Sequence, residues 1–242
     1  MGKERNPDKK SSATDASWLS DHIGRGLRKE KKLGKKKSAV REYAEAIVVA
    51  VALALVIRQF VVQAFRIPSG SMEDTLLVGD FLMANKFVYG PKIPFTDIRL
   101  PGIRKPKAGD VIIFKYPRDP RKDFIKRVIA TEGQRVEIKD KVVYVDGEPL
   151  PFPPKSKFTD RRILPREMSR RDNYGPIIVP KDALFVMGDN RDNSQDSRYW
   201  GFVPMRNVKG KAMILYWSWN KEVPLWDFFH KIRWGRLAHL IR

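Results

Sequence analysis

"DFIKRVIATEG", residues 123–133, decides the fold class. Phe, Ile, Val and Thr crowd the run, and Asp123 and Gly133 bound it. That composition and length predict a β-strand, whose side chains alternate between two faces. Phe124, Lys126 and Val128 share one face; Ile125, Arg127 and Ile129 share the other. One cation lies on each face, and alternation does not say which face is buried.

Similar runs surround it. "GDFLMANKFVYG" (79–90), "GDVIIFKYP" (109–117), "ALFVMGDN" (183–190) and "VKGKAMILYWSW" (208–219) are expected strands. "RVEIKDKVVYVDGEPL" (135–150) is an expected hairpin, turning near Lys139-Asp140. Prolines 149, 151, 153 and 154 mark a loop, and 155–182 is charged and irregular. No long amphipathic helix follows residue 66. The expected class is mainly β, with a helix at the N-terminus.

That helix is "AEAIVVAVALALVIRQFVVQAF", residues 44–65. Its uninterrupted apolar core, Ala46 to Ile57, is short for a membrane span, which takes about 20 residues. Counted through Phe65 the run is long enough if Arg58 snorkels toward the headgroups. The rival is a cleaved signal peptide, but too long a charged stretch precedes the run. Residues 1–43 hold thirteen Lys/Arg against six Asp/Glu. Such a block sets the N-terminus inside and the remainder outside. The expected division is a basic cytoplasmic tail (1–43), a transmembrane helix (44–65) and an extracytoplasmic domain (66–242) with a small insert about 139–182.

The net charge is +20, which suits anionic lipid or nucleic acid. There is no cysteine, which removes thiol nucleophiles, disulfides and thiolate zinc sites. The three histidines, His22, His230 and His239, lie far from any serine or acidic motif. A hydrolytic site here needs another base.

"FRIPSGSMEDTL" (65–76) offers the nucleophile. Gly70 permits an unusual backbone turn, and Pro68 stiffens the approach. Such a turn exposes a serine hydroxyl and aims nearby N–H groups at one point; a plain solvated loop has the same composition. Lysine is the candidate base, if burial lowers its pKa from about 10.4. Lys126 sits between apolar neighbours, whereas Arg127 stays protonated and is no base. The plainer reading of Lys126 is an edge-strand cation facing water. "GDNRDNSQDSRYWGFV" (188–203) tests as a calcium loop and fails: from Asp192 the turn position is Ser197 and the twelfth is Val203. It is either a loop knitted by Asp–Arg pairs or a platform that orients the lysine.

Together, "IPSGSMEDTLLVGD", "GDVIIFKYP", "FIKRVIATEG" and "FVMGDNRDNSQDSRYWGFVP", in this order after an apolar segment, resemble bacterial type I signal peptidase over about residues 40–219. The resemblance implies a β-rich catalytic core with a long β-ribbon. It implies Ser71 as nucleophile and Lys126 as general base. Ser69 would join the Ser71 N–H in an oxyanion hole, Ser194 would orient the lysine, and Asp196 and Arg198 would brace that loop. Ile67, Met72, Leu76, Phe124 and Ile125 would line the substrate pockets. Glu73 and Asp74 depart from the family's pattern, and the insert before residue 183 is short for it.

The implied activity is removal of signal peptides from exported preproteins after small residues, of the Ala-x-Ala type, without metal or organic cofactor. The implied setting is the bacterial inner membrane, crossed once, with lipid as partner, no nucleic acid and a monomeric enzyme. The alternative is a membrane-tethered basic binding module without catalysis. A self-cleaving regulator of similar fold is disfavoured, because no DNA-binding helical domain precedes the core. Trp217, Trp219, Trp226 and Trp234 read two ways, as headgroup anchors or as core.

Overall fold

Two antiparallel sheets carry the chain. The computed structural model describes residues 39–93, 96, 98–151, 156–224 and 226–241. The tail read over 1–43 lies outside the described residues up to residue 38, as do prolines 153 and 154. The chain divides into two units, 1–50 and 51–242. The boundary falls inside helix α1, Ala39–Phe60.

The expected membrane segment over 44–65 is corrected at its end. The helix stops at Phe60, and Val62–Arg66 is strand β1, paired with β2 (Asp80–Asn85). Val61, Val62 and Phe65 suit a strand better than a helix once a partner strand is present. Among the described residues no helix is long and apolar enough to cross a membrane. The charge-free apolar run spans only about 18 Å as a helix, against a hydrocarbon core of about 30 Å. No residue of α1 is buried.

In the second unit, the larger sheet orders its strands β1-β2-β11-β3-β4-β9-β10. Here β3 is Val111–Tyr116, β4 Asp119–Thr131, β9 Ala183–Met187, β10 Val203–Pro204 and β11 Val208–Ser218. β11 joins the halves: β2 lies along one side, and β3 then the short β12 (His239–Leu240) lie along the other. The β3–β4 pair, six partners with one irregularity, is the part nearest to the expected ribbon.

The smaller sheet, β7-β6-β5-β8, begins at Arg135, ahead of the insert expected at about 139–182, and takes in its strands. β5 (Arg135–Lys139) and β6 (Val142–Val145) form the expected hairpin. Its turn residues, Asp140 and Lys141, both have positive φ, as a two-residue hairpin turn requires. β7 is Glu148–Pro149, and β8, Tyr174–Ile178, falls in the stretch expected to be irregular. Gly175 and Pro176 inside β8 hid it, since both residues are rare within strands.

Strand alternation divides the core. Ile113 packs with Ile67, Met72, Leu76, Leu82 and Leu215. Its neighbours Ile112 and Phe114 pack with Val128, Val186 and Val203. A third cluster joins Ile129, Phe185 and Met187 to Val136 and Ile138 of the smaller sheet. Both faces of β4 are therefore covered, and both of its central cations are buried, Lys126 at 3% exposure and Arg127 at 4%.

Arg127 resolves its burial with a carboxylate. Its Nε donates to Asp189 Oδ1 (2.8 Å) and its terminal nitrogen to Asp189 Oδ2 (2.7 Å). Thr75 donates its hydroxyl proton to the same Oδ2 at 2.6 Å. Breaking a buried pair from one side strands the other charge, at a cost of about 3–5 kcal/mol. Arg127→Met is predicted to lower unfolding free energy in urea by about that much. A loss below about 1 kcal/mol would mean the pair behaves as a surface pair.

Candidate active site

The serine turn is fixed by apolar plugs. Ser69 is extended (φ −133°, ψ 156°), and Gly70–Met72 forms one 3₁₀ turn. The turn closes through Glu73 N–H to Gly70 O (3.0 Å) and Leu76 N–H to Met72 O (2.7 Å). Met72 and Leu76 are buried in the core. With those residues held inside, Ser71 lies at the surface of a cleft of about 640 Å³.

Lys126 reaches the same place from the central sheet. Its Nζ lies 2.6 Å from Ser71 Oγ and 5.5 Å from the centre of the Phe124 ring. Burial pushes its pKa down from 10.5 to about 8; the Asp196 and Asp189 carboxylates pull it up, and Arg198 pulls it down. Such a shift corresponds to about 3 kcal/mol disfavouring the ammonium form in the fold. The amine is therefore partly neutral near pH 8, and a neutral amine accepts the serine proton.

The end of β9 supports the turn from below. Asn190 N–H donates to Ser71 O (3.2 Å), and its side-chain amide donates to Gly70 O (3.2 Å) and Glu73 Oε2 (3.1 Å). Glu73 also lies 3.4 Å from Lys157 Nζ, so its charge is shared by a cation and an amide. Gly188 makes the approach possible. A Cβ there would stand 2.4 Å from Ser71 O and 2.2 Å from Ser194 Oγ.

Asp196 and Arg198 form a second buried bidentate pair, 2.9 and 2.8 Å. Asp196 also accepts from Gly188 N–H (3.1 Å), and Arg198 donates to the Arg191 and Arg171 carbonyls. Burial alone would raise the Asp196 pKa, but Arg198 holds the carboxyl below its ordinary range. Ser194 is buried over Gly188, beside the Ser71 carbonyl. Its hydroxyl makes no hydrogen bond of ordinary geometry with a described residue, Lys126 included, though its nearness helps lower the Asp196 pKa.

Of the residues expected to line pockets, Ile67, Met72, Phe124 and Ile125 line the cleft, together with Ser69. Leu76 does not. It is fully buried, one turn beyond Met72, and packs into the core instead. Trp217 and Trp219 are half-buried, whereas Trp226 and Trp234 are exposed. Among the described residues no cluster of three His, Asp or Glu side chains could hold a metal ion.

Gly188, Asp189 and Asn190 were read from sequence only as part of the 188–203 loop, without roles of their own. A glycine directly after the apolar run "ALFVM" was the available signal, since such a glycine marks close backbone approach. Gly188→Ala is predicted to displace the serine turn while β9 stays paired. Acylation of Ser71 by a reagent for activated serines should then slow about 10²-fold, with the circular-dichroism spectrum unchanged. Wild-type labelling would mean that the close approach has no part in placing the serine.

Known proteins resemble this chain over most of its length. A family model described as signal peptidase, peptidase S26, matches residues 40–217. Signal peptidase I of Pseudomonas aeruginosa is 38% identical over 212 residues, covering 76% of this chain and 75% of that protein. Signal peptidase I of Aquifex aeolicus is 36% identical over 214 residues, covering 68% and 79%. A solved signal peptidase I from Enterococcus faecalis is 31% identical, covers 45% of this chain and 97% of that one, and has a TM-score of 0.36. On the extent of these matches, the chain belongs to the signal peptidase family, peptidase S26.

Proposed function

We propose that this peptidase removes signal peptides from exported preproteins through a Ser71–Lys126 dyad. The observation that carries the reading is the 2.6 Å contact between a buried lysine amine and a serine hydroxyl at the wall of an open cleft. The relatives' name, signal peptidase I, supplies the substrate class.

Neutral Lys126 takes the hydroxyl proton as Ser71 Oγ attacks the carbonyl carbon of the scissile peptide. The oxyanion is held by the Ser71 N–H and the Ser69 hydroxyl, from two residues that line the cleft. Lys126 then gives its proton to the leaving amine and takes one from water to release the acyl group. The walls made by Ile67, Met72, Phe124 and Ile125 are large side chains held by the core, which suits small substrate residues such as alanine. Ser194 and the Asp196–Arg198 pair act by positioning, holding the loop that faces the lysine.

The enzyme is anchored at the bacterial inner membrane through α1. Ile47, Val49, Leu53 and Leu55 are exposed along it, and an uncovered apolar run of this length needs an apolar cover. Its charge-free run reaches the hydrocarbon, with Glu45 and Arg58 toward the headgroups. A preprotein's own apolar segment lies in the same bilayer, so anchoring brings both cleavage site and cleft to one surface.

Ser71→Ala and Lys126→Met are each predicted to abolish cleavage of an Ala-x-Ala preprotein by about 10⁴-fold or more. Ser69→Ala should cost about 10²–10³-fold. For the wild type, kcat/KM should rise with pH and level off above about 8, because the base is protonated below that value. Folding adds a second sign. Unfolded, the lysine stays charged to about 10.5; folded, it is neutral above about 8. Stability from this group therefore rises with pH across that window, and the full cost is present below it. Lys126→Met should then be more stable than the wild type at pH 6. Normal processing by the Ser71 or Lys126 variant would remove the dyad.

A further inference from the structure

A second cavity, about 320 Å³, opens beside the end of α1. Its wall carries Lys86, Lys92, Arg99, Lys115, Arg206 and Lys209, and no carboxylate among the described residues. Lys86, Arg99, Lys115 and Arg206, gathered around so small a space, repel one another unless an anion joins them.

Two of them are half-buried without a carboxylate partner among the described residues. Arg99 donates to backbone carbonyls, those of Tyr89, Gly90, Met205 and Val208. Lys86 donates to the Arg58 and Gln59 carbonyls, each at 3.1 Å. Those carbonyls end helix α1 and carry partial negative charge only. Burial first, then Lys209 and Arg58, push the Lys86 pKa below the ordinary lysine range. Lys209 has a partner in Asp123 at 2.7 Å, on the side toward the active-site cleft. Lys115 and Arg206 are exposed and make no ion pair with a described residue. Gln59 and Gln63 complete the wall with neutral amides.

We propose that this cavity is an anion site for a phosphate group, either a phospholipid headgroup or free inorganic phosphate. Arg99 and Lys86 form its floor, and Lys115 and Arg206 close over the ligand from the rim. A guanidinium and several ammonium groups suit phosphate oxygens, which accept charge-assisted hydrogen bonds. The headgroup source rests on the anchoring of α1 proposed above; the anion site does not. An anionic headgroup held there would fix the height of the Asp123 side of the cleft above the lipid.

The test is lysine labelling of the full chain by an acylating reagent, read by mass spectrometry. One arm uses nanodiscs of phosphatidylcholine alone against nanodiscs doped with phosphatidylglycerol. The other titrates inorganic phosphate into the detergent-solubilised protein. Lys86, Lys115 and Lys209 should lose reactivity several-fold with phosphatidylglycerol or phosphate, while the exposed Lys139 and Lys181 hold theirs. Lys115→Glu combined with Arg206→Glu should weaken protection of Lys86 and Lys209 about tenfold. Protection by phosphatidylglycerol alone assigns the site to lipid, and by phosphate in detergent assigns it to a free anion. Both lipids bury α1 alike, so a failure of anchoring leaves the phosphate arm intact. Equal reactivity under all conditions, an equal loss at Lys139 and Lys181, or full protection in the double variant would overturn the site.

Discussion

A lysine amine buried against a serine hydroxyl is the constraint around which this fold is arranged. The ammonium form of Lys126 is disfavoured by about 3 kcal/mol, a sizeable share of the stability of an ordinary domain. The molecule carries that cost because two rigid pieces meet there. Strand β4 brings the amine from the centre of the sheet, and the Gly70–Met72 turn brings the hydroxyl from the chain following β1. Neither piece adjusts freely, since Met72 is locked in the core and β4 is paired on both sides. The strain of desolvation thus falls on the protonation state of one group.

Two ion pairs keep the remaining charges from relieving that strain. Asp189 is claimed by Arg127 and Thr75, and Asp196 by Arg198. An unclaimed carboxylate near the amine would stabilise the ammonium and remove the base. With each aspartate matched to its own arginine, desolvation outweighs attraction and the lysine pKa stays low. The same two pairs fix the loop 188–198, whose Gly188 and Asn190 hold the serine turn from below. Electrostatic tuning and positioning are therefore done by the same residues.

Much of this was legible in the sequence, in uneven parts. Five apolar runs and one hairpin became strands because alternation and turn residues are local signals. β1 was absorbed into the apolar helix, since Val61-Val62 reads equally well as the end of a membrane run. β8 was hidden by Gly175 and Pro176. Alternation placed Lys126 and Arg127 on opposite faces but left the buried face open. The structure buries both, each with its own solution. The dyad was named through resemblance, whereas Arg127–Asp189, 62 residues apart, depends on tertiary pairing that no local pattern carries. Leu76 was assigned to a pocket by resemblance alone; it lies beyond the Gly70–Met72 turn and is buried in the core instead.

The most direct test of the central claim is the pKa of Lys126 itself. Lysine labelled with carbon-13 beside the amine reports each side chain's titration by NMR, and Lys126→Met identifies the signal. A midpoint near 8 is expected for that one resonance. A midpoint near 10.5, as for a solvated lysine, would contradict it.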